Sequence, residues 1–364
     1  MAVLAPATDS AITSALQPTQ LPQHASTLGT FTRVAAMESI IFRALVPLIL
    51  GCILLSPSVA GATETVTYSG YAPESIADIY QGKWALSRTE LSGKLRLPDG
   101  EGPFPVVVLQ HGSGHPLNLQ PWWDIVVPAL LNAGIGGFIA NSYDGRNIGG
   151  TSGDQRKLSK AARIVDALMA LKALAAHDKV DPARIGVTGY SFGGIVSIET
   201  ADRRTVEAVL GKDLKFAAHL PVYPSCGSHR AVVDMTGSPM LFLAGRNDDY
   251  TPAAFCKAYM PKLKKAGVPA TLKVYPDAGH GFVKVQDRYL SRAATFNGCG
   301  TSTINAEGYH EFGDFSEKGL SWAETVVAAF KKCGSRGASL YGTRASQRQA
   351  LRDTVDFFVK TLKP

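Results

Sequence analysis

Residues 184–199 read R-I-G-V-T-G-Y-S-F-G-G-I-V-S-I-E, and they constrain the chain more than any other stretch. Ile185-Gly186-Val187-Thr188 is a short β-type run, Gly189-Tyr190-Ser191-Phe192-Gly193 a G-x-S-x-G turn, and Gly194 to Ile198 opens a helical pattern. A strand that turns so sharply into a helix forces its central residue into a strained backbone, and only small neighbours avoid a clash. The Ser191 hydroxyl is then held clear of the main chain, beside a helix N-terminus whose free N–H groups favour negative charge. A Gly-rich turn with an incidental serine has the same five letters. The rest of the chain has to choose between them.

Before this run, Thr65 to Tyr68 and Leu91 to Pro98 alternate as edge antiparallel strands do. Phe104 to Gln110 is nearly all apolar, as a strand buried on both faces should be, and runs into His111-Gly112-Ser113-Gly114-His115. The spacing predicts a helix over Trp122 to Ala133, a strand over Ile135 to Ala140 ending at Asn141 to Arg146, and a helix over Leu158 to Ala176. In that last helix Ile164, Leu168, Leu171 and Ala175 share one face, and Arg163 and Lys172 are placed on the exposed one. After the turn, strands are expected over Phe216 to Tyr223, Pro239 to Ala244 and Ala270 to Tyr275, with a helix over Ala253 to Ala266. Residues 286–345, with an apparent helix from Leu320 to Lys332, interrupt the connection to a closing helix over Ala345 to Leu362. This alternation predicts an α/β fold, a mainly parallel sheet with helices on both faces, in which ligand sites gather at the carboxyl ends of the strands. Each polar cluster in the chain falls at such an end.

Ahead of all this, residues 1–36 lack periodicity and are read as disordered or as an over-extended start. From Met37, Arg43, the apolar run Ala44 to Leu55 and the small residues Ser58 to Ala62 make a signal peptide, with cleavage near Ala60 or Ala62. The run is too short for a membrane span. The expectation is a single domain over 63–364, exported to the periplasm or beyond, with an insertion at about 286–345. Net charge is +7, but Lys and Arg are scattered and no nucleic-acid motif is present, so no nucleic-acid partner is expected. Cys52 lies in the leader, and export permits disulfides among the other four cysteines. The expected pairs are Cys226–Cys256, tying the loop after one strand to the helix after the next, and Cys299–Cys333, stapling the insertion. No zinc spacing occurs, and neither metal nor cofactor is expected.

A serine hydroxyl is a weak nucleophile that needs a base, and the base needs an orienting acid. His280 lies in the Gly-flanked loop after the last strand, and Asp248 follows the strand before it. Their order, Ser191…Asp248…His280, is the one expected for such an elbow on such a sheet. Asp249 competes for the acid's role; Asp248 is preferred for its spacing from Gly245 and Thr251-Pro252. Backbone N–H groups of Phe192 and Ser113 would make an oxyanion hole. His111 is expected to brace its own loop.

From about Leu95 to Phe282, plus the closing helix, the chain resembles the dienelactone hydrolase family of the α/β-hydrolase superfamily. The residues that carry the likeness are Gln110 to Gly114, Asn141 to Arg146, Gly189 to Gly194, Gly245 to Pro252 and Ala278 to Phe282. The resemblance implies a hydrolase of small esters or lactones. It departs at the nucleophile, which is a cysteine in that family and Ser191 here, and this shifts the implied substrate toward general carboxylic esters. Arg146 then reads either as a partner for a substrate carboxylate or as a brace for its loop. Tyr143 and Tyr190, with Trp122, Trp123, Tyr223 and Tyr250, read as pocket walls or as core. Two rivals remain: a peptidase of the prolyl-oligopeptidase kind, which lacks its usual propeller repeats here, and a non-catalytic binding protein on the same fold.

Overall fold

The computed structural model describes residues 62–363; the expected start and residues 37–61 of the expected signal peptide, Cys52 included, lie outside them. Along the chain come β1 (Glu64–Gly70), α1 (Ile76–Tyr80), β2 (Thr89–Arg96), β3 (Phe104–Gln110), α2 (Gln120–Asn132) and β4 (Gly136–Asn141). These lead to α3 (Lys160–Ala175), β5 (Val180–Tyr190), α4 (Phe192–Glu199), α5 (Arg203–Leu210), β6 (Ala218–Val222) and β7 (Ser228–Arg230). Next are β8 (Met240–Gly245), α6 (Ala253–Lys265) and β9 (Ala270–Tyr275). The remainder is β10 (Gln286–Thr295), β11 (Ser302–Ile304), β12 (His310–Phe312), β13 (Phe315–Ser316), α7 (Trp322–Cys333), β14 (Ser335–Gly342) and α8 (Arg344–Leu362).

Eight strands form one sheet in the order β1-β2-β4-β3-β5-β6-β8-β9. The six from β4 to β9 in that order run parallel, while β1 and β2 pair antiparallel at one edge. Period-two alternation explains how β3 serves both faces. Val106 and Val108 pack with Ile185 and Val187 of β5 against Ile164, Leu168 and Leu171 of α3. Val107 and Leu109 pack on the other side with Trp122, Val126 and Leu130 of α2 and with Phe358 and Leu362 of α8. Helix α8 sits close because Gly186 has no side chain; a Cβ there would lie 2.7 Å from the Phe358 ring. This is the expected α/β-hydrolase architecture.

Two features depart from expectation. Helix α3 is buried almost all round, and Arg163, placed on an exposed face by spacing, is 1% exposed. The insertion holds more than a helix: β10 and β14 form an antiparallel ribbon, and β11, β12 and β13 join β7 in a second sheet of order β13-β12-β11-β7. Strands of two or three residues are too short for alternation to announce them. Arg230 of β7 is buried against Glu199 and, at 3.1 Å, Asp202, which ties this second sheet to the ends of α4 and α5.

Both expected disulfides are present, Cys226–Cys256 and Cys299–Cys333. Among the described residues no helix is long and apolar enough to cross a membrane. The Cys299–Cys333 bond closes a separation of 34 residues. Loop-closure entropy predicts that the double Ser variant at these positions loses about 3–4 kcal/mol against unfolding of this segment. Hydrogen exchange of α7 and β14 amides checks it, and unchanged protection would contradict the estimate.

Candidate active site

Ser191 takes the strained conformation that the elbow requires, with φ 58° and ψ −115°. Its N–H donates to Val222 O of β6 at 3.0 Å, and the carbonyl accepts from Gly194 N and Ile195 N as α4 begins. Close backbone approach leaves no room for side chains on either flank. A Cβ on Gly189 would lie 1.8 Å from Gly193 O, and one on Gly193 would lie 2.3 Å from Gln110 O. The glycines of the motif are therefore steric necessities of β3, β5 and α4 meeting at one point.

At that point three distant residues come together. His280 Nε2 lies 2.9 Å from Ser191 Oγ, and Nδ1 lies 2.9 Å from Asp248 Oδ2. The carboxylate is fixed from behind: Asp248 Oδ1 accepts from Tyr250 N at 2.9 Å and Thr251 N at 2.7 Å, and Oδ2 accepts from Thr251 Oγ1 at 2.9 Å. A carboxylate on Nδ1 keeps the proton there and leaves the Nε2 lone pair facing the serine hydroxyl. Tyr223 and Tyr250 flank the imidazole, with ring centroids 4.9 Å and 4.7 Å from its own. Asp249 turns the other way. Its Oδ1 accepts from Ser339 N at 2.9 Å and its carbonyl from Asn297 Nδ2 at 2.6 Å, so it fastens the insertion.

The loop after β3 passes directly over the serine, since a Cβ on Gly112 would sit 3.9 Å from Ser191 Oγ. Phe192 is the first residue of α4, where an N–H has no intrahelical acceptor. Ser113 and Phe192 both line the cavity that opens on Ser191. His111 braces the loop as expected. Ser142 N–H donates to its Nε2 at 3.3 Å, so the proton is on Nδ1 and is donated to Gly112 O at 2.8 Å. Burial and the neighbouring Arg163 cation hold its pKa well below the usual range, which keeps the ring neutral.

Arg163 is the part of the site that spacing missed. Its guanidinium donates to His111 O at 2.7 Å, Gly112 O at 3.4 Å and Tyr143 Oη at 3.2 Å, so one buried cation holds the whole loop. The sequence does contain a signal: Arg163 and Asp166 are the only charges in an otherwise apolar run from Ala161 to Leu171, and charges inside such a run have to find partners.

Arg146, Tyr143 and Tyr190, the candidate substrate residues, are not among those lining the cavity. Arg146 is committed to Asp166 through two bonds of 2.7 and 2.8 Å, and also donates to Ser142 O and Tyr71 O. It is the loop brace, because its forked donors are spent on a fully buried carboxylate. Tyr143 is fully buried beneath the loop, its hydroxyl 3.0 Å from Thr151 Oγ1. Tyr190 is fully buried edge-on to Trp122 and Trp123 in the core. Of the aromatic candidates, Tyr250 lines the cavity. The far walls come from the insertion, including Phe296, Phe312, Trp322 and Val326. Among the described residues no group of three or more His, Cys, Asp and Glu is placed to hold a metal. Replacing Asp166 with Asn would leave the Arg146 charge buried and unpaired, and should lower stability by about 3–5 kcal/mol in equilibrium urea unfolding; a loss below ~1 kcal/mol would show that the pair does not hold the loop.

The sequence profile of the dienelactone hydrolase family matches residues 95–297, more than half of the chain. Esterase EstD of Thermotoga maritima is 32% identical over 125 residues, which are 33% of this chain and 29% of that protein. A probable carboxylesterase SOBER1-like of Arabidopsis thaliana is 26% identical over 141 residues, 39% of this chain and 52% of that protein. The chain thus spans about half or less of the length of these relatives. A solved structure described as m3DLH shares the fold, with TM-score 0.51 and 15% identity over 83% of this chain and 98% of that one. With the profile covering the strand ends that carry Ser191 and Asp248, the chain belongs to the dienelactone hydrolase family.

Proposed function

We propose that the protein is an exported serine hydrolase of carboxylic esters or lactones that works through an acyl-enzyme on Ser191. The observation that carries this reading is the unbroken hydrogen-bonded run from Ser191 Oγ through His280 to Asp248. His280 Nε2 takes the hydroxyl proton as Oγ attacks the ester carbonyl, and Asp248 holds and stabilises the imidazolium. The carbonyl oxygen becomes an oxyanion held by the Phe192 and Ser113 backbone N–H groups, the first aided by the N-terminus of α4. His280 then returns its proton to the departing alkoxide. Water deprotonated by the same nitrogen attacks the acyl-enzyme, releases the acid and restores Ser191. The serine in place of the family's cysteine favours ordinary esters, and the names of the two relatives point the same way. Export is supported by the two disulfides, which persist in oxidising compartments.

Labelling of the purified protein with a fluorophosphonate, followed by assays on p-nitrophenyl esters and dipeptide amides, tests the reading. Absence of labelling at Ser191 would overturn it, and turnover of amides but not esters would replace it with a peptidase. Ser191→Ala and His280→Ala should each lower kcat by about 10⁴-fold or more. Asp248→Asn should lower kcat far more than Asp249→Asn, whose carboxylate faces the insertion. The reverse order would reassign the acid.

A further inference from the structure

The cavity that opens on Ser191 has a second polar centre, built from α3 and the insertion. Lys160, the first residue of α3, is 6% exposed; His310 of β12 and Glu317, just beyond β13, are 5% and 3% exposed. All three line the same cavity as Ser191, together with Gln155. Lys160 Nζ is bonded to His310 Nε2. His310 is locked in place, since its N–H donates to Glu317 Oε1 at 2.8 Å and its carbonyl accepts from Glu317 N at 2.9 Å. Burial and the Lys160 and Arg230 cations hold the imidazole neutral, so Nε2 accepts from the ammonium and Nδ1 carries the hydrogen.

Buried polar atoms are normally satisfied, and those left over call for an explanation. An ammonium has three N–H donors, and Lys160 uses one on His310. His310 Nδ1 and Gln155 Oε1 are buried with no hydrogen-bond partner among the described residues. One of these is a donor and the other an acceptor. Charges of both signs already surround them: Glu199 and Asp202 pair with Arg230, and Glu317 neighbours Lys160. A fully anionic guest would meet the Glu317 carboxylate, and a cationic one would meet Lys160. A hydroxyl meets neither objection, because it accepts from an N–H and donates to a carboxylate or amide oxygen. The rest of the wall is apolar, with Phe192, Phe296, Phe312, Trp322 and Val326, and it suits the hydrocarbon body that such a hydroxyl would sit on.

We propose that Lys160, His310, Glu317 and Gln155, the last bonded to Ser113 Oγ at 3.3 Å, form a recognition site for a hydroxyl group on the apolar body of the substrate, within the cavity that opens on Ser191. The inference rests on the ester-hydrolase reading for the identity of that bond. It makes the substrates esters of hydroxylated aromatic or aliphatic acids or alcohols.

The test compares kcat/KM for two matched pairs, methyl 4-hydroxycinnamate against methyl cinnamate and ethyl 6-hydroxyhexanoate against ethyl hexanoate. A hydroxyl bonded to charged partners predicts a preference of about 10- to 100-fold for the hydroxylated member of at least one pair. Lys160→Met and Glu317→Gln should each reduce that preference to within about threefold. No preference in either pair, a preference that survives both substitutions, or faster turnover of methyl 4-carboxycinnamate than of the 4-hydroxy ester would overturn the proposal. Should the variants unfold, the wild-type pairs still decide. Calorimetric titration of Ser191→Ala with the same esters reads the preference without turnover. A binding preference in a protein whose wild type cleaves no ester would keep the site and remove the esterase reading; equal affinities alongside ester turnover would do the opposite.

Discussion

Everything at the reacting centre depends on three backbones meeting closer than any side chain allows. The end of β3, the end of β5 and the first turn of α4 converge where Gly189 and Gly193 face Gln110, His111 and each other. This contact forces Ser191 into its left-handed conformation and lifts its hydroxyl toward His280. It also brings the Gly112–Ser113 loop across the serine, so the proposed nucleophile and the proposed oxyanion donors are set by one packing event. Tyr223, at φ 37°, is a second strained residue beside the imidazole, and strain of this kind persists only where surrounding structure over-determines it. Here that structure is the buried parallel sheet.

The support beneath the loop is electrostatic. Arg163 and Asp166 project from one buried helix, the first into the carbonyls of the loop after β3 and the second into the guanidinium beyond β4. Helix α3 therefore holds two neighbouring loops by two opposite charges three residues apart. Asp166 is paired and hydrogen-bonded with Arg146, whereas the Arg163 cation is held by the carbonyls of His111 and Gly112, the Tyr143 hydroxyl and the rings of Tyr143 and Phe192.

How much of this was legible in the sequence follows from the range of the forces involved. The buried strands and amphipathic helices of the sheet were readable, because periodic burial leaves a periodic pattern. The elbow was readable because its glycines are demanded by local sterics, and Asp248 and His280 because strand ends collect such groups. Arg146, Tyr143 and Tyr190 stand near the right loops, but sequence distance carries no information on which way a side chain turns. Arg163 was misplaced for the same reason. The insertion was visible as an interruption, while its strands, held by pairings with β7 and across β14, were not. Lys160, His310 and Glu317 lie on separate elements, and no local pattern connects them.

The pairing of β7 with β11 has a consequence for how the protein is assembled. The two strands run parallel, with Ser228 and Ser302 in register 74 residues apart. All of β8, α6, β9 and β10 lies between them. Bringing such distant segments together costs chain entropy that is offset only when the intervening elements are already in place. Loop-closure entropy therefore favours pairing of β7 with β11 only after the strands of the main sheet that lie between them have come together, so this wall of the cavity is costly to close before the sheet that carries Ser191.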